Sequence, residues 1–257
     1  MSQSAPAARP RIHLMDEVRG FAVLCMVVRH AFYLIGYLFD QPWARAAFDF
    51  FAPVSPLFAG AFVLISGISS QLSHSNWARG ARLLAVALGL TLATALVIPE
   101  EIIRFGVLHM LAVCMLVFAL LQKPLARVPF GVGIAVCMVG FVLTAGLFFA
   151  PVPYVGVPGV PLLQICAVSE WGKFLFPLGI QNVGFYSSDY YPVFPWIFVF
   201  LAGTFLGRFA AAGRFPQWMY PARVPAFSWM GKHALVIYVL HQPVLYGIVW
   251  LISAIVP

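Results

Sequence analysis

The sequence predicts an all-α, polytopic transmembrane helical bundle of about seven spans with a cytoplasmic N-terminus, and three observations lead there. First, 62% of the 257 residues are hydrophobic and 9% are charged, with a mean hydropathy of +0.94. Soluble domains carry about 25% charged residues, so a water-facing surface cannot be made from this chain. Second, the apolar residues fall in blocks of about 18 to 25, the length that crosses a hydrocarbon core about 30 Å thick. The short alternating segments of a closed barrel are not seen in the pattern. Third, the basic residues divide unevenly between loops on opposite sides.

In chain order the blocks are 19–39, 50–72, 83–99, 106–122, 130–150, 191–208 and 233–255, one domain over 1–257. The polar, basic tail 1–15 resembles the opening of a signal peptide. The block behind it is too long for one and carries Arg29 and His30, so it reads as a retained first span. The segment 151–190 is the one long outer loop. It holds Pro151, Pro153, Pro158 and Pro161, then an apolar stretch broken by Pro177, Gly179 and Gly184, which suits a re-entrant or surface-lying piece.

With the N-terminus inside, the cytoplasmic side holds Arg9, Arg11, Arg19, Arg79, Arg82, Lys123, Arg127, Arg208, Arg214, Arg223 and Lys232, eleven of the fifteen basic residues. Arg45, Arg104 and Lys173 fall outside and Arg29 lies within the membrane. This bias is the one that sets orientation in bacterial-type membrane proteins, so the N-terminus is expected inside and the C-terminus outside; the expected location is an integral one, in a bacterial inner membrane. The bias also accounts for the net charge of +7 by loop topology rather than by a basic face, and no nucleic-acid partner is expected. Asp40, Asp49, Glu100, Glu101, Glu170 and Asp189 all fall on the outer side. Cys25, Cys114 and Cys137 lie in apolar blocks and Cys166 in the long loop, without metal-ligand spacing, so no metal is expected.

An ionisable side chain in hydrocarbon costs about 2.5–3.5 kcal/mol on insertion scales, which makes three places informative. In MDEVRGFAVLCMVVRHAFY, Arg19 and His30 are three turns apart on one helix face. Asp16 stands one turn before Arg19, and Tyr37 extends the face beyond His30. The bland alternative is interfacial anchoring by Asp16 and Arg19 with a satisfied His30. In PEEIIRFGVLHMLAV, Glu100 and Arg104 have the spacing of a one-turn pair and His109 enters the fourth span from outside, although a lone histidine there is as often a satisfied neighbour. In GKHALVIYVLHQPVLYG, Tyr238 and His241 are one turn apart. Pro243 loosens the preceding turn, and Gln242 beside His241 argues against packing alone.

The segments DEVRGFAVLCMVVRH, FVLISGISSQLS, ARGARLL, PEEIIRFGVLH, DYYPVFPWIFVFLAGTFLG and GKHALVIYVLHQP, in this order, resemble bacterial relatives of heparan-α-glucosaminide N-acetyltransferase, within the wider group of transmembrane acyltransferases. The resemblance covers most of the chain. It implies transfer of an acetyl group from cytoplasmic acetyl-CoA, through a helical bundle, to an amino sugar or glycan on the far side. The lysosomal enzyme carries a histidine in the loop after its first span, whereas Ala31 to Ser73 contains none here. That catalytic assignment is therefore not carried over, and His30 takes its place on physical grounds. The smaller number of spans argues against heparan sulfate itself as acceptor.

Acyl transfer from a thioester needs a base and donors for the oxyanion. The expected catalytic candidates are His30 first, then His241 and His109. Asp16 and Arg19 would hold one another at the entrance, while Arg79 and Arg82 on the inner loop would meet the phosphates of CoA or serve as positive-inside anchors. Asp189, Tyr190 and Trp196 would stand on the acceptor side, and Tyr238 and Gln242 beside His241. A transporter or permease for protons or a small solute is the alternative, since a polar path through seven spans suits it too; internal repeats of the transporter kind are not apparent. The bilayer is the expected partner and a homo-oligomer is compatible with the sequence. Reporters fused after Ser73, Lys123 and Arg214 should register cytoplasm, and fusions near Asp40 and Tyr154 the outside; a cytoplasmic signal from 151–190 would reverse the assigned orientation.

Overall fold

The computed structural model describes residues 10–165, 172–182 and 184–255. Along the chain lie α1 (His13–Tyr33) with a π-helical extension (Leu34–Leu38), α2 (Pro42–Phe51), α3 (Ser55–Gln71), α4 (Asn76–Val97), α5 (Val107–Ala126), α6 (Phe130–Thr144) and α7 (Gly146–Phe149). After these come β1 (Tyr154–Val157), β2 (Val160–Gln164), α8 (Gly172–Leu175), α9 (Val193–Ala211), α10 (Pro225–Lys232) and α11 (Ala234–Ile255). Among the described residues, seven helical stretches are long and apolar enough to cross a membrane: His13–Leu38, Pro42–Gln71, Asn76–Val97, Val107–Ala126, Phe130–Phe149, Val193–Ala211 and Ala234–Ile252. They correspond one to one with the blocks read from the sequence.

The differences lie at the ends. Helix α1 begins at His13, inside the expected polar tail, because Asp16 and Glu17 are buried and partnered there rather than solvated. The second stretch begins at Pro42, which a helix accepts in its first turn because proline has no N–H to lose there. Within 151–190, an antiparallel hairpin pairs Tyr154 with Gln164 and Val157 with Val160. The sequence reading had no strand here. Its turn places Gly159 at φ +84°, which a side chain would disfavour. Cys166 and Glu170 of this loop lie outside the described residues.

The chain divides into two compact units, residues 1–62 with 213–257, and residues 63–212. In the first, α1 packs on α10, α11 and α2. Glycines let α1 and α10 touch backbone to backbone: a Cβ on Gly20 would lie 2.0 Å from the Phe227 carbonyl oxygen, and one on Gly231 would lie 1.9 Å from that of Asp16. Such small-residue crossings are a common way for membrane helices to gain packing. Glu17 completes the junction, its Oε1 accepting the backbone N–H groups of Arg223 (2.6 Å) and Val224 (2.9 Å) just ahead of α10. At the other end of α1, Arg45 donates from Nε to the Gly36 carbonyl at 2.7 Å and pairs with Asp40. The wider π turn there changes the helical phase. Tyr37 accordingly stacks on Tyr33 and meets Phe48, rather than simply extending the His30 stripe.

In the second unit, α5 and α9 supply most of the interior, with Met110, Leu111, Cys114, Phe118, Trp196, Phe200 and Phe205 buried. Helices α3 and α9 cross closely, where a Cβ on Gly67 would lie 2.0 Å from the Phe200 carbonyl oxygen. Helix α4 packs on α5 and leaves Leu88, Leu92 and Leu96 outward, 56%, 61% and 74% exposed. Leucines repeating every turn on an open face are what a lipid-facing helix requires, since no water is there to reject them. Arg208 donates to the Val128 and Leu125 carbonyls at the end of α5, positions a helix leaves without internal donors. The expected Glu100–Arg104 pair does not form. Pro99–Glu101 is a 3-10 turn and Ile102 is extended, so helical spacing does not apply, and Arg104 lies over the Phe185 ring instead.

The Glu17 cap gives a direct test. Glu17→Ala should lower the thermal midpoint of the detergent-solubilised protein, by an amount corresponding to about 1–3 kcal/mol for a buried acceptor removed from two donors. Glu17→Gln, which keeps one acceptor oxygen, should lose less; equal losses would contradict the capping role.

Candidate functional site

Asp16 and Arg19 at the start of α1 are paired as their spacing suggests. Asp16, 5% exposed, accepts from Arg19 at 3.1 Å and from Arg11 at 2.6 Å. His13 Nδ1 lies 3.2 Å from the Ser228 hydroxyl on α10. The run Asp-Glu-Val-Arg-Gly thus has a structural purpose at four of its positions: an ion pair at Asp16 and Arg19, a cap at Glu17 and a helix contact at Gly20. Glu17 was not singled out in the sequence. The signal for it was present in Val224-Pro225, a helix start lacking a capping side chain of its own.

Two turns and more along α1, the chain brings together residues over two hundred positions apart in sequence. The His30 and His241 rings lie 5.0 Å centroid to centroid. Gln242 Nε2 is 3.5 Å from His30 Nδ1, the outer limit of a hydrogen bond. His241 is buried and its Nδ1 lies 2.6 Å from the Tyr238 carbonyl oxygen. A carbonyl only accepts, so Nδ1 carries the proton and Nε2 of His241 bears the lone pair. Proline at 243 follows one residue after Gln242, and the buried Tyr238 ring sits 5.7 Å from that of His241. Beside this cluster, Arg29 lies with its guanidinium 4.4 Å from the centre of the Phe48 ring on α2.

The second unit holds the other candidates. His109, 3% exposed at the start of α5, accepts the Gly106 N–H at Nδ1 (3.2 Å). Its Nε2 is 3.2 Å from the Thr91 hydroxyl, which itself donates to the Ile103 carbonyl at 2.6 Å. This order of donors fixes His109 as the Nε2–H tautomer, with both ring nitrogens engaged inside the protein. Asp189 Oδ2 accepts the Val107 N–H at 3.3 Å, placing a carboxylate at the positive end of α5. The two loops on either side of Asp189 and His109 are tied by Ser188 N–H to the Ile102 carbonyl and Tyr191 N–H to the Phe105 carbonyl. Sequence reading did not anticipate Thr91, because a lone threonine in an apolar span carries no pattern.

Tyr190 donates to the Phe176 carbonyl at 2.6 Å, and burial pushes its phenol up to about 12, against a smaller opposing effect from Gln181. Trp196 is 2% exposed among Phe141, Phe148, Phe149 and Tyr191. The two arginines in the first turns of α4 differ. Arg79 donates to the Ser69 carbonyl at 3.3 Å, whereas Arg82, one turn on, is exposed. Among the described residues no group of three or more His, Cys, Asp and Glu side chains is placed to hold a metal ion.

No curated protein and no solved structure matches the chain at a significant level. The family model described as heparan-alpha-glucosaminide N-acetyltransferase, catalytic, matches residues 11–243, a span that runs from the Arg11–Asp16 pair through His30, His109 and Asp189 to His241 and Gln242. With seven membrane-competent helices and a family match over most of its length, the chain is an integral membrane protein that belongs to the heparan-alpha-glucosaminide N-acetyltransferase catalytic-domain family of membrane acetyltransferases.

Proposed function

We propose that the protein transfers an acetyl group from cytoplasmic acetyl-CoA to the amine of an amino sugar or glycan on the far side of a bacterial inner membrane. The observation that carries this reading is the meeting of His30, His241 and Gln242 on α1 and α11, well inside the apolar length of both helices. Polar side chains placed there need a purpose.

The chemistry follows from what each group offers. The acceptor amine loses a proton to an imidazole as its nitrogen bonds to the thioester carbonyl carbon. The carbonyl oxygen becomes an oxyanion, which an amide or imidazole N–H steadies. The C–S bond then breaks, the amide is complete, and the CoA sulfur leaves with the proton the imidazole returns. His30 is the first choice for the base, with His241 beside it as its partner, its ring oriented by the Tyr238 carbonyl at Nδ1. Gln242 is the amide donor nearest His30. Arg19, held by Asp16, marks the cytoplasmic entrance, and the exposed Arg82 suits a phosphate of CoA better than Arg79, which is already engaged. His109 and Asp189 order the outer loops that would receive the acceptor, with Tyr190 and Trp196 on the same side.

Purified protein incubated with labelled acetyl-CoA and a series of amino sugars should release CoA and form labelled amide. Saturating acetyl-CoA should raise the thermal midpoint, as any ligand of the folded form must. His30→Ala should keep that shift and lose about 10²–10⁴-fold in transfer rate, the usual range for a general base. His241→Ala should fall between it and the wild type. His109→Ala should raise the KM for the acceptor, and a glutamine there, able to accept from Gly106 and donate to Thr91, should restore part of it. A His30→Ala protein with the wild-type rate would overturn the assignment, and an unmoved midpoint would turn the reading towards the transporter class.

A further inference from the structure

Arg29 is the least satisfied charge of the first unit. It stands ten residues beyond Arg19, about 15 Å deeper along α1 at ~1.5 Å per residue. Its Nε is buried without a hydrogen-bond partner, and among the described residues it enters no ion pair. The unit's carboxylates are employed elsewhere: Asp16 with Arg11 and Arg19, Glu17 with the start of α10, Asp40 with Arg45. Asp49, next to Phe48 on α2, is exposed and unpaired with it. Arg45 shows what a satisfied arginine looks like in the same unit, with a carboxylate, a backbone carbonyl and an aromatic ring around it. Arg29 has the ring alone.

A guanidinium held at that depth with its donors unspent is poised for an oxyanion. Its planar fork matches a phosphate, sulfate or carboxylate with two parallel hydrogen bonds. The ring of Phe48 lies 4.4 Å from the guanidinium carbon and occupies one face of the group, so an oxyanion would be met in the plane of the fork. The side chain is therefore folded onto α2 instead of extending along the helix towards a headgroup layer.

We propose that Arg29 binds an acidic substituent of the acceptor, so that the protein selects an amino sugar carrying a phosphate, sulfate or carboxylate. This rests on His30 as the reaction centre, since Arg29 adjoins it in the chain. The order of events is simple: the oxyanion docks on the guanidinium, and the amine of the same molecule is brought towards the imidazole. No bond is made or broken at Arg29.

The test uses full-length protein in nanodiscs of phosphatidylcholine, with or without phosphatidylglycerol, and compares glucosamine with glucosamine 6-phosphate. In the wild type, kcat/KM should favour the 6-phosphate by tenfold or more, and Arg29→Gln should bring the ratio close to one, with Arg29→Lys retaining part of the preference. Glucosamine 6-phosphate alone should raise the thermal midpoint of the wild type and not that of Arg29→Gln. This arm needs no turnover, so it still reads the site if the acetyl-transfer reading fails. Equal use of both sugars by the wild type together with no midpoint shift would overturn the proposal. So would a shift that depends on phosphatidylglycerol, which would give the oxyanion to lipid, or loss of the acetyl-CoA-induced shift in Arg29→Gln, which would give it to CoA. Should Arg29→Gln fail to fold, the wild-type ratio, the wild-type midpoint shift and Arg29→Lys still decide.

Discussion

Every polar group this chain carries into hydrocarbon must find its partner within the protein, because no water is there to supply one. Much of the architecture answers to that constraint. Serine and threonine hydroxyls of the spans turn back to carbonyls one turn earlier, as Ser70 does to Ser66 and Thr144 to Gly140. Glu17 is spent on two backbone donors, Arg208 on two carbonyls, and Asp16 on two arginines. The close crossings of α1 with α10, and of α3 with α9, serve the same end by replacing side chains with backbone contact where lipid offers no hydrophobic drive to associate.

Against that background the residues not consumed by structure stand out. His30, Gln242 and Arg29 have weak or aromatic contacts, in contrast to the firm hydrogen bonds of Glu17, Asp16 and Arg208. His109 belongs to the other class. Both of its nitrogens are tied to the turn it sits beside, and its position at the beginning of α5 makes it a brace for the loop pair 101–107 and 187–191. Histidines in the same kind of span thus differ in how firmly the protein engages their ring nitrogens, and their hydrogen bonds rather than the residue type separate them.

The family match and the cluster on α1 and α11 complement one another. The match establishes a membrane acetyltransferase family. It does not by itself say which groups act in a chain that lacks a histidine between Ala31 and Ser73. The proximity of His30 and His241 supports a reaction centre within the helices, and the neighbouring unpaired guanidinium supports an acidic acceptor as its substrate.

The sequence alone determined the all-α membrane class, the seven spans, the family and the Asp16–Arg19 pair, because these depend on block length, composition and spacing within one helix, all of which are local. It named His30 and His241 as candidates on two separate helices. Only the tertiary structure brought their rings together, since rotation of α11 about its axis is set by packing and not by its own sequence. Helix α10, the hairpin at 154–164 and the failure of Glu100 to meet Arg104 were likewise decided in three dimensions. The first is too short to show a hydrophobic period, the second is fixed by a turn glycine, and the third depends on a 3-10 turn and extended backbone that remove the spacing on which a helical pair relies.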